Sequence, residues 1–201
     1  MPFSEFKLND IINDFGIEII DNQDVFASIQ PATITQELKN KLKESVPLAQ
    51  SINTEKARSE FIIAFILFEL KSKFKDRISL FSGIDFDVDK EKNLNGFCDF
   101  IISLSPRQLV LTSPIITVVE AKNENIIGGL GQCLAEMLAA QLFNGKNKNN
   151  IHIIYGVVTT GSSWKFLKLK DNMALVDKTE YHVENIEKIM GILTEMINQT
   201  A

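Results

Sequence analysis

Residues 114–122 read PIITVVEAK and residues 151–160 read IHIIYGVVTT. Both are runs of β-branched and other apolar side chains, the pattern of strands buried on two faces. Between them, ENIIGGLGQCLAEMLAAQLFN (124–144) sets Leu130, Cys133, Leu134, Met137, Leu138 and Gln141 at helical spacing. A strand, a helix and a second strand of one sheet join by a right-handed crossover, with the two strands parallel. This unit decides the fold class, because it requires a sheet with a helix laid across one face.

Working outward, RISLFSGIDFDVD (77–89), a turn at KEKNLNG and FCDFIISL (97–104) read as strands. Their short, hairpin-like spacing makes them antiparallel neighbours of 114–122, so the sheet is mixed. Upstream, 33–50 reads as an amphipathic helix with Thr33 or Thr35 near its start, and 54–74 as a longer one capped by Thr54. The second is apolar nearly all round, which implies burial on more than one side. Residues 3–14 carry a weak helical pattern, and GIEII (16–20) and VFASI (25–29) read as short extended pieces. After the crossover come SSWKFLKLK and MALVD as strands, then a helix over 181–198. The expectation is one α/β domain with a central mixed β-sheet flanked by helices on both faces. Residues 1–53 form an N-terminal helical extension, 54–178 the core and 179–201 a C-terminal helix.

Composition bounds the function. The chain has 201 residues, 45% apolar and 23% charged, as in ordinary globular domains, and its net charge is −5. The longest apolar run, Phe61 to Phe68, is far too short to span a membrane, and MPFSEFKLND lacks the basic and apolar regions of a secretion signal. Cys98 and Cys133 sit in apolar context and read as reduced, buried thiols. A cytoplasmic protein without a membrane partner is the expectation. The acidic balance means that any phosphate chemistry needs a local basic patch or a bound metal.

The strand 114–122 ends in Glu120, Ala121 and Lys122. Alternation points Glu120 and Lys122 the same way, and charges at the end of a buried strand are costly unless paired or useful. Asp99 is the lone charge in the neighbouring apolar strand and can converge on Glu120. Two carboxylates at close range share a proton or bind a cation. Mg²⁺, held by one or two carboxylates, a carbonyl and waters, meets that need, and Lys122 beside it can orient a water or offset phosphate charge.

Asp99 followed by Glu120-Ala121-Lys122 resembles the signature of the PD-(D/E)xK (restriction-endonuclease-like) nuclease superfamily. Glu60, on the helix before the strands, and Gln132, on the helix after the lysine, are similar to further positions of that pattern; Phe97-Cys98 stands where the motif's proline belongs. The resemblance covers roughly residues 54 to 170. It implies a restriction-endonuclease-like core and phosphodiester cleavage with Mg²⁺ or Mn²⁺, on DNA more than RNA. Asp99, Glu120 and the Ala121 carbonyl would hold the metal, and Lys122 would orient water. Glu60 would be an accessory ligand or would help orient water, and Gln132 would contact the site or the substrate backbone. A homodimer would let two sites address two strands.

Other readings stand beside this one. The same fold hosts catalytically degenerate binding or assembly modules. Glu120 with Lys122 is also readable as a plain ion pair, and Asp99 as a strand residue bonded to a backbone amide. GGLG (128–131) lacks the GK[ST] ending and GxGxxG spacing of nucleotide loops. His152 and His182 lack metal-ligand spacing. Trp164 reads as a base-stacking or a core aromatic. By chain order, Lys165, Lys146 and Lys148 are the lysines nearest the site and the candidate substrate contacts. Lys71, Lys73, Lys75 and Arg77 suit a helix C-terminus.

Overall fold

In the computed structural model the described residues are 2–149 and 151–198. The strands are β1 (Glu18–Ile20), β2 (Ser79–Asp85), β3 (Phe97–Ser103), β4 (Ile115–Ala121), β5 (Ile153–Thr159), β6 (Ser163–Lys170), β7 (Met173–Val176) and β8 (Tyr181–His182). The helices are α1 (Leu8–Phe15), α2 (Gln36–Ile52), α3 (Glu55–Arg58), α4 (Ala64–Lys73), α5 (Ile126–Lys146) and α6 (Ile186–Asn198). A π-helical turn, Ser59–Ile63, joins α3 to α4.

One mixed sheet runs in the order β1-β7-β6-β5-β4-β3-β2, with β8 on the first residues of β6. β4 and β5 are parallel, joined by α5, as the crossover requires. β2, β3 and β4 are antiparallel neighbours. The sheet separates two apolar layers. On one side Ile62, Ile66 and Leu70 of the α3–α4 rod, Leu38 and Leu42 of α2 and Ile189 and Leu193 of α6 meet Val119, Val157 and Phe166. On the other, Cys133, Leu134 and Met137 of α5 meet Ile101, Val118 and Val158, with Phe3, Phe6 and Ile11 joining them.

The caps follow the sequence signals. Thr35 Oγ1 accepts from Leu38 N at 3.1 Å, Thr54 Oγ1 from Ala57 N at 3.1 Å, and Asn125 Oδ1 from Gly128 N at 2.8 Å. By length and hydropathy α5 passes the test for a membrane span, but 72% of its apolar window is buried within the protein. Its hydrophobicity belongs to the core. One face packs on the sheet and the N-terminal segment lies over another; a Cβ on Gly131 would meet the Phe6 carbonyl oxygen at 2.5 Å.

Several expectations change. The first fifty residues are not only helical: β1 pairs in parallel with β7 and forms an edge of the sheet. VFASI is a series of bends and turns, not an extended piece. The last helix starts at Ile186, because Tyr181 and His182 join the sheet and Val183–Asn185 form a 3-10 turn. The β7 pairing is remote in sequence, so no local pattern announces it.

Candidate active site

β4 and β3 set the site. The last ladder pair between them is Phe100 with Val119, both in the layer beneath α4 and α6. Past it the strands diverge, and a side chain takes over a backbone bond: Asp99 Oδ2 accepts from Ala121 N at 2.8 Å. The alternation of β4 turns Glu120 and Lys122 toward α5. There the Lys122 ammonium donates to Glu120 Oε1 at 2.5 Å and to Gln132 Oε1 at 3.0 Å, while Gln132 Nε2 donates to Glu136 Oε1 at 3.1 Å. The chain Glu120–Lys122–Gln132–Glu136 thus ties the strand end to the N-terminal half of the helix.

Lys122 fits because Gly129 has no side chain. A Cβ there would stand 3.1 Å from the Lys122 stem and 2.7 Å from Val158 Cγ1. The glycines of GGLG serve close packing at this point, in agreement with the absence of a nucleotide-loop pattern.

The electrostatics are unbalanced. Glu120 is 2% exposed and Glu136 fully buried, and the second oxygen of each meets no amide, hydroxyl or ammonium, only a neighbouring carboxyl group. Burial, then the neighbouring Asp99 charge, pushes the Glu120 carboxyl up to about 7 despite Lys122. Burial and the Glu120 charge raise Glu136 well above the carboxylate range. Asp99 is raised too, chiefly by burial, with the Ala121 amide and Lys122 opposing. Lys122 rises because its acidic neighbours, Glu120 foremost, outweigh a desolvation that acts the other way. Three carboxyl groups therefore face one ammonium, and without a further cation the cluster is short of positive charge unless its raised carboxyls keep protons.

That shortage is the test of fit for a divalent cation. Asp99 and Glu120 with the Ala121 carbonyl supply the hard oxygen donors that Mg²⁺ takes together with water. Glu120 also offers a buried oxygen that meets only a neighbouring carboxyl group. Among the described residues no three His, Cys, Asp or Glu side chains are arranged to hold a metal, so protein carboxylates alone make no cage. The donor set fits an ion that keeps most of its water.

The structure thus brings Asp99, Glu120, Lys122 and Gln132 together. It places the other candidates elsewhere. Glu60 is largely exposed and pairs with Lys56 at 3.6 Å; the acid of this helical segment whose charge reaches Lys122 is Glu55. Lys165 is buried and its ammonium donates to the Lys178 carbonyl at 3.0 Å, so it is not displayed to a substrate. Lys146 and Lys148 lie at the far end of α5, roughly 21 Å from Gln132 by helical rise, with Lys146 donating to the Val88 carbonyl at 2.8 Å. Chain order misled here because α5 runs away from the site. Trp164 is fully buried and donates to the Gly161 carbonyl at 2.9 Å, which makes it a core aromatic. Cys98 and Cys133 are free and buried, with burial raising both thiols. Lys71 and Arg77 tie down their own helix end and α6.

Two residues escaped the sequence reading. Glu136 had a legible signal, an acid four residues after Gln132 inside an apolar helix. Arg58 had none. Its guanidinium bonds Asn53 Oδ1 at 3.0 Å, Asn123 Oδ1 at 3.2 Å, the Thr160 carbonyl at 3.1 Å and Ser162 Oγ at 3.3 Å. It lines an open cleft of about 460 Å³ that begins one residue past Lys122 and includes Asn123, Asn125, Thr160 and Ser162. Compared with known proteins, the chain matches no family model and no curated protein.

Proposed function

We propose that the protein hydrolyses phosphodiester bonds of nucleic acid with a divalent metal, through a PD-(D/E)xK-type site on a restriction-endonuclease-like core. The observation that carries this reading is the convergence of Asp99, Glu120, Lys122 and Gln132 on a cluster short of positive charge. The order of elements supports it: a helical segment, three antiparallel strands, α5 and a parallel strand, with the acidic residues on the second and third strands.

Asp99, Glu120 and the Ala121 carbonyl would hold Mg²⁺ or Mn²⁺. A cation held there would supply Lewis-acid polarisation of a phosphoryl oxygen and a more acidic water. Asp99 is fixed by the Ala121 amide and Glu120 by Lys122, so both donors are oriented before metal arrives. Lys122 carries the ammonium that orients the attacking water or offsets phosphate charge. Gln132, braced by Glu136, fixes where that ammonium sits. DNA is the favoured substrate, on the resemblance alone, and the cytoplasm the expected compartment.

A second reading has its own observation. The Glu120–Lys122 pair is complete at 2.5 Å and Glu60 is turned away, which suits a degenerate member that binds without cutting. Incubating single- and double-stranded DNA and RNA with Mg²⁺ or Mn²⁺ separates the two. Cleavage by the wild type that Lys122→Ala loses is the expected result. Intact substrates throughout the panel, with nucleic acid still bound, would favour the degenerate module.

A further inference from the structure

Building on that reading, the cleft beside Lys122 points to a part of the substrate. Arg58 stands in it with four hydrogen bonds, each to a neutral oxygen: two side-chain amides, a hydroxyl and a backbone carbonyl. No carboxylate pairs with its guanidinium among the described residues. A guanidinium has five N–H donors in a fork that suits phosphate, so one donor remains while the geometry of the group is already fixed. The partners hold the fork in place without cancelling its charge. They are also the segments that frame the site: Asn123 follows Lys122 directly, and Thr160 follows β5, the parallel neighbour of β4.

The cleft is open and polar, lined by amides and hydroxyls together with the first turn of α5. Two carboxylates also line it, Glu124 and Glu180, both on exposed residues; Glu124 Oε1 is held by the Asn53 amide at 3.2 Å. Solvated acids at a rim are weakly felt, whereas a half-buried, oriented guanidinium is not.

We propose that Arg58 is a phosphate-binding residue. It takes a backbone phosphate of the nucleic acid adjoining the one presented at Lys122, and so fixes the register of the strand in the site. The contact reads no base, because phosphate bonds position a strand without specifying its sequence. The π turn that follows Arg58 belongs to the same device: a local widening of the helix just where its last α-helical residue reaches across to β5.

Arg58 also clamps three segments, so its removal can loosen the fold. Ser162→Asp avoids this, since it sets a carboxylate against the guanidinium, strengthening the clamp while neutralising the charge. Binding of a labelled short oligothymidylate and of a short duplex, with Ca²⁺ replacing Mg²⁺, is measured against salt for wild type, Ser162→Asp and Arg58→Gln, alongside melting temperatures. The expected result is about tenfold weaker binding in both variants and a salt slope smaller by about one, with Ser162→Asp melting at or above the wild type. Wild-type affinity and slope in a folded Ser162→Asp would overturn the proposal, as would a wild type that binds neither probe. The nuclease reading fails separately: Arg58-dependent binding without metal-dependent cleavage sinks that reading and leaves the phosphate site standing.

Discussion

Two buried acids lie on opposite sides of β5 and meet opposite fates. Asp177, past the end of β7, is fully buried and its carboxylate is satisfied: Oδ1 accepts from Val25 N at 3.0 Å and Thr179 N at 3.4 Å, and Oδ2 accepts from Tyr181 Oη at 3.0 Å. Glu120 is nearly as buried, yet one oxygen has only Lys122 and the other faces no donor but its neighbouring carboxyl groups. Asp177 ties Val25 to the end of β7. Glu120 is held ready with unspent bonding capacity beside two further acids. A buried acid serving structure is surrounded by donors; one kept for a ligand is left partly unmet.

The sharpest way to widen that contrast is at Lys122. Lys122→Ala is expected to lower metal-dependent cleavage by about 10²–10⁴-fold, the range of a lost proton-handling or water-orienting group, while the fold persists. Asp177→Ala should do the reverse. It leaves the Val25 amide and Tyr181 hydroxyl unpaired and costs about 3 kcal/mol of stability or more in urea unfolding, with any cleavage per folded molecule unchanged.

The pH dependence of metal-free stability separates the two acids next. An acid whose folded pKa lies above its ordinary value, here 4.5 moved to about 7, binds more protons folded than unfolded in that interval. Stability therefore falls as pH rises from the lower value to the higher, on the order of 3 kcal/mol for Glu120 alone. Asp99 and Glu136 act in the same direction. Lys122, raised by its neighbours, stays charged throughout and leaves the slope alone. Unfolding at pH 5 and pH 8 should show the loss, and Glu120→Gln should flatten it; equal slopes in the two proteins would contradict the assignment.

Smaller effects test the packing behind the site. Gly129→Ala should cost about 1–3 kcal/mol, because the new methyl meets Val158 and the Lys122 stem, and it should lower cleavage with the displaced ammonium. Glu136→Gln should gain stability in urea unfolding at pH 8 relative to pH 5, since it removes one acid from a crowded cluster.

Much of this was written locally. The β-branched run ending in Glu120-Ala121-Lys122, the apolar helix after it and the next strand fix a parallel crossover, and the mixed sheet follows from short connections. The lone charge in FCDFIISL marked Asp99, and the amide it bonds was among the readings open from the start. What stayed hidden depends on contacts remote in sequence. β1 finds β7 across 155 residues. Arg58 gains its meaning from Asn123 and Thr160, which only the folded chain brings to it. The alternating lysines of SSWKFLKLK suggest a solvated face, but Lys165 turns inward to the Lys178 carbonyl, because the 178–179 segment folds back over β6. Glu60 matches the motif by its place in the chain, but it lies within the π turn Ser59–Ile63 and faces Lys56 instead.

The most direct test of the central claim is the melting temperature of wild type and Glu120→Gln at pH 8 as Mg²⁺ or Mn²⁺ is added. The account expects the wild type to rise with metal, by about 2.7 kcal/mol of stability at a hundredfold excess over Kd, and Glu120→Gln to stay flat. A wild type indifferent to both ions, or a Gln variant that gains as much, would mean that Glu120 and Lys122 are a structural pair and no metal centre.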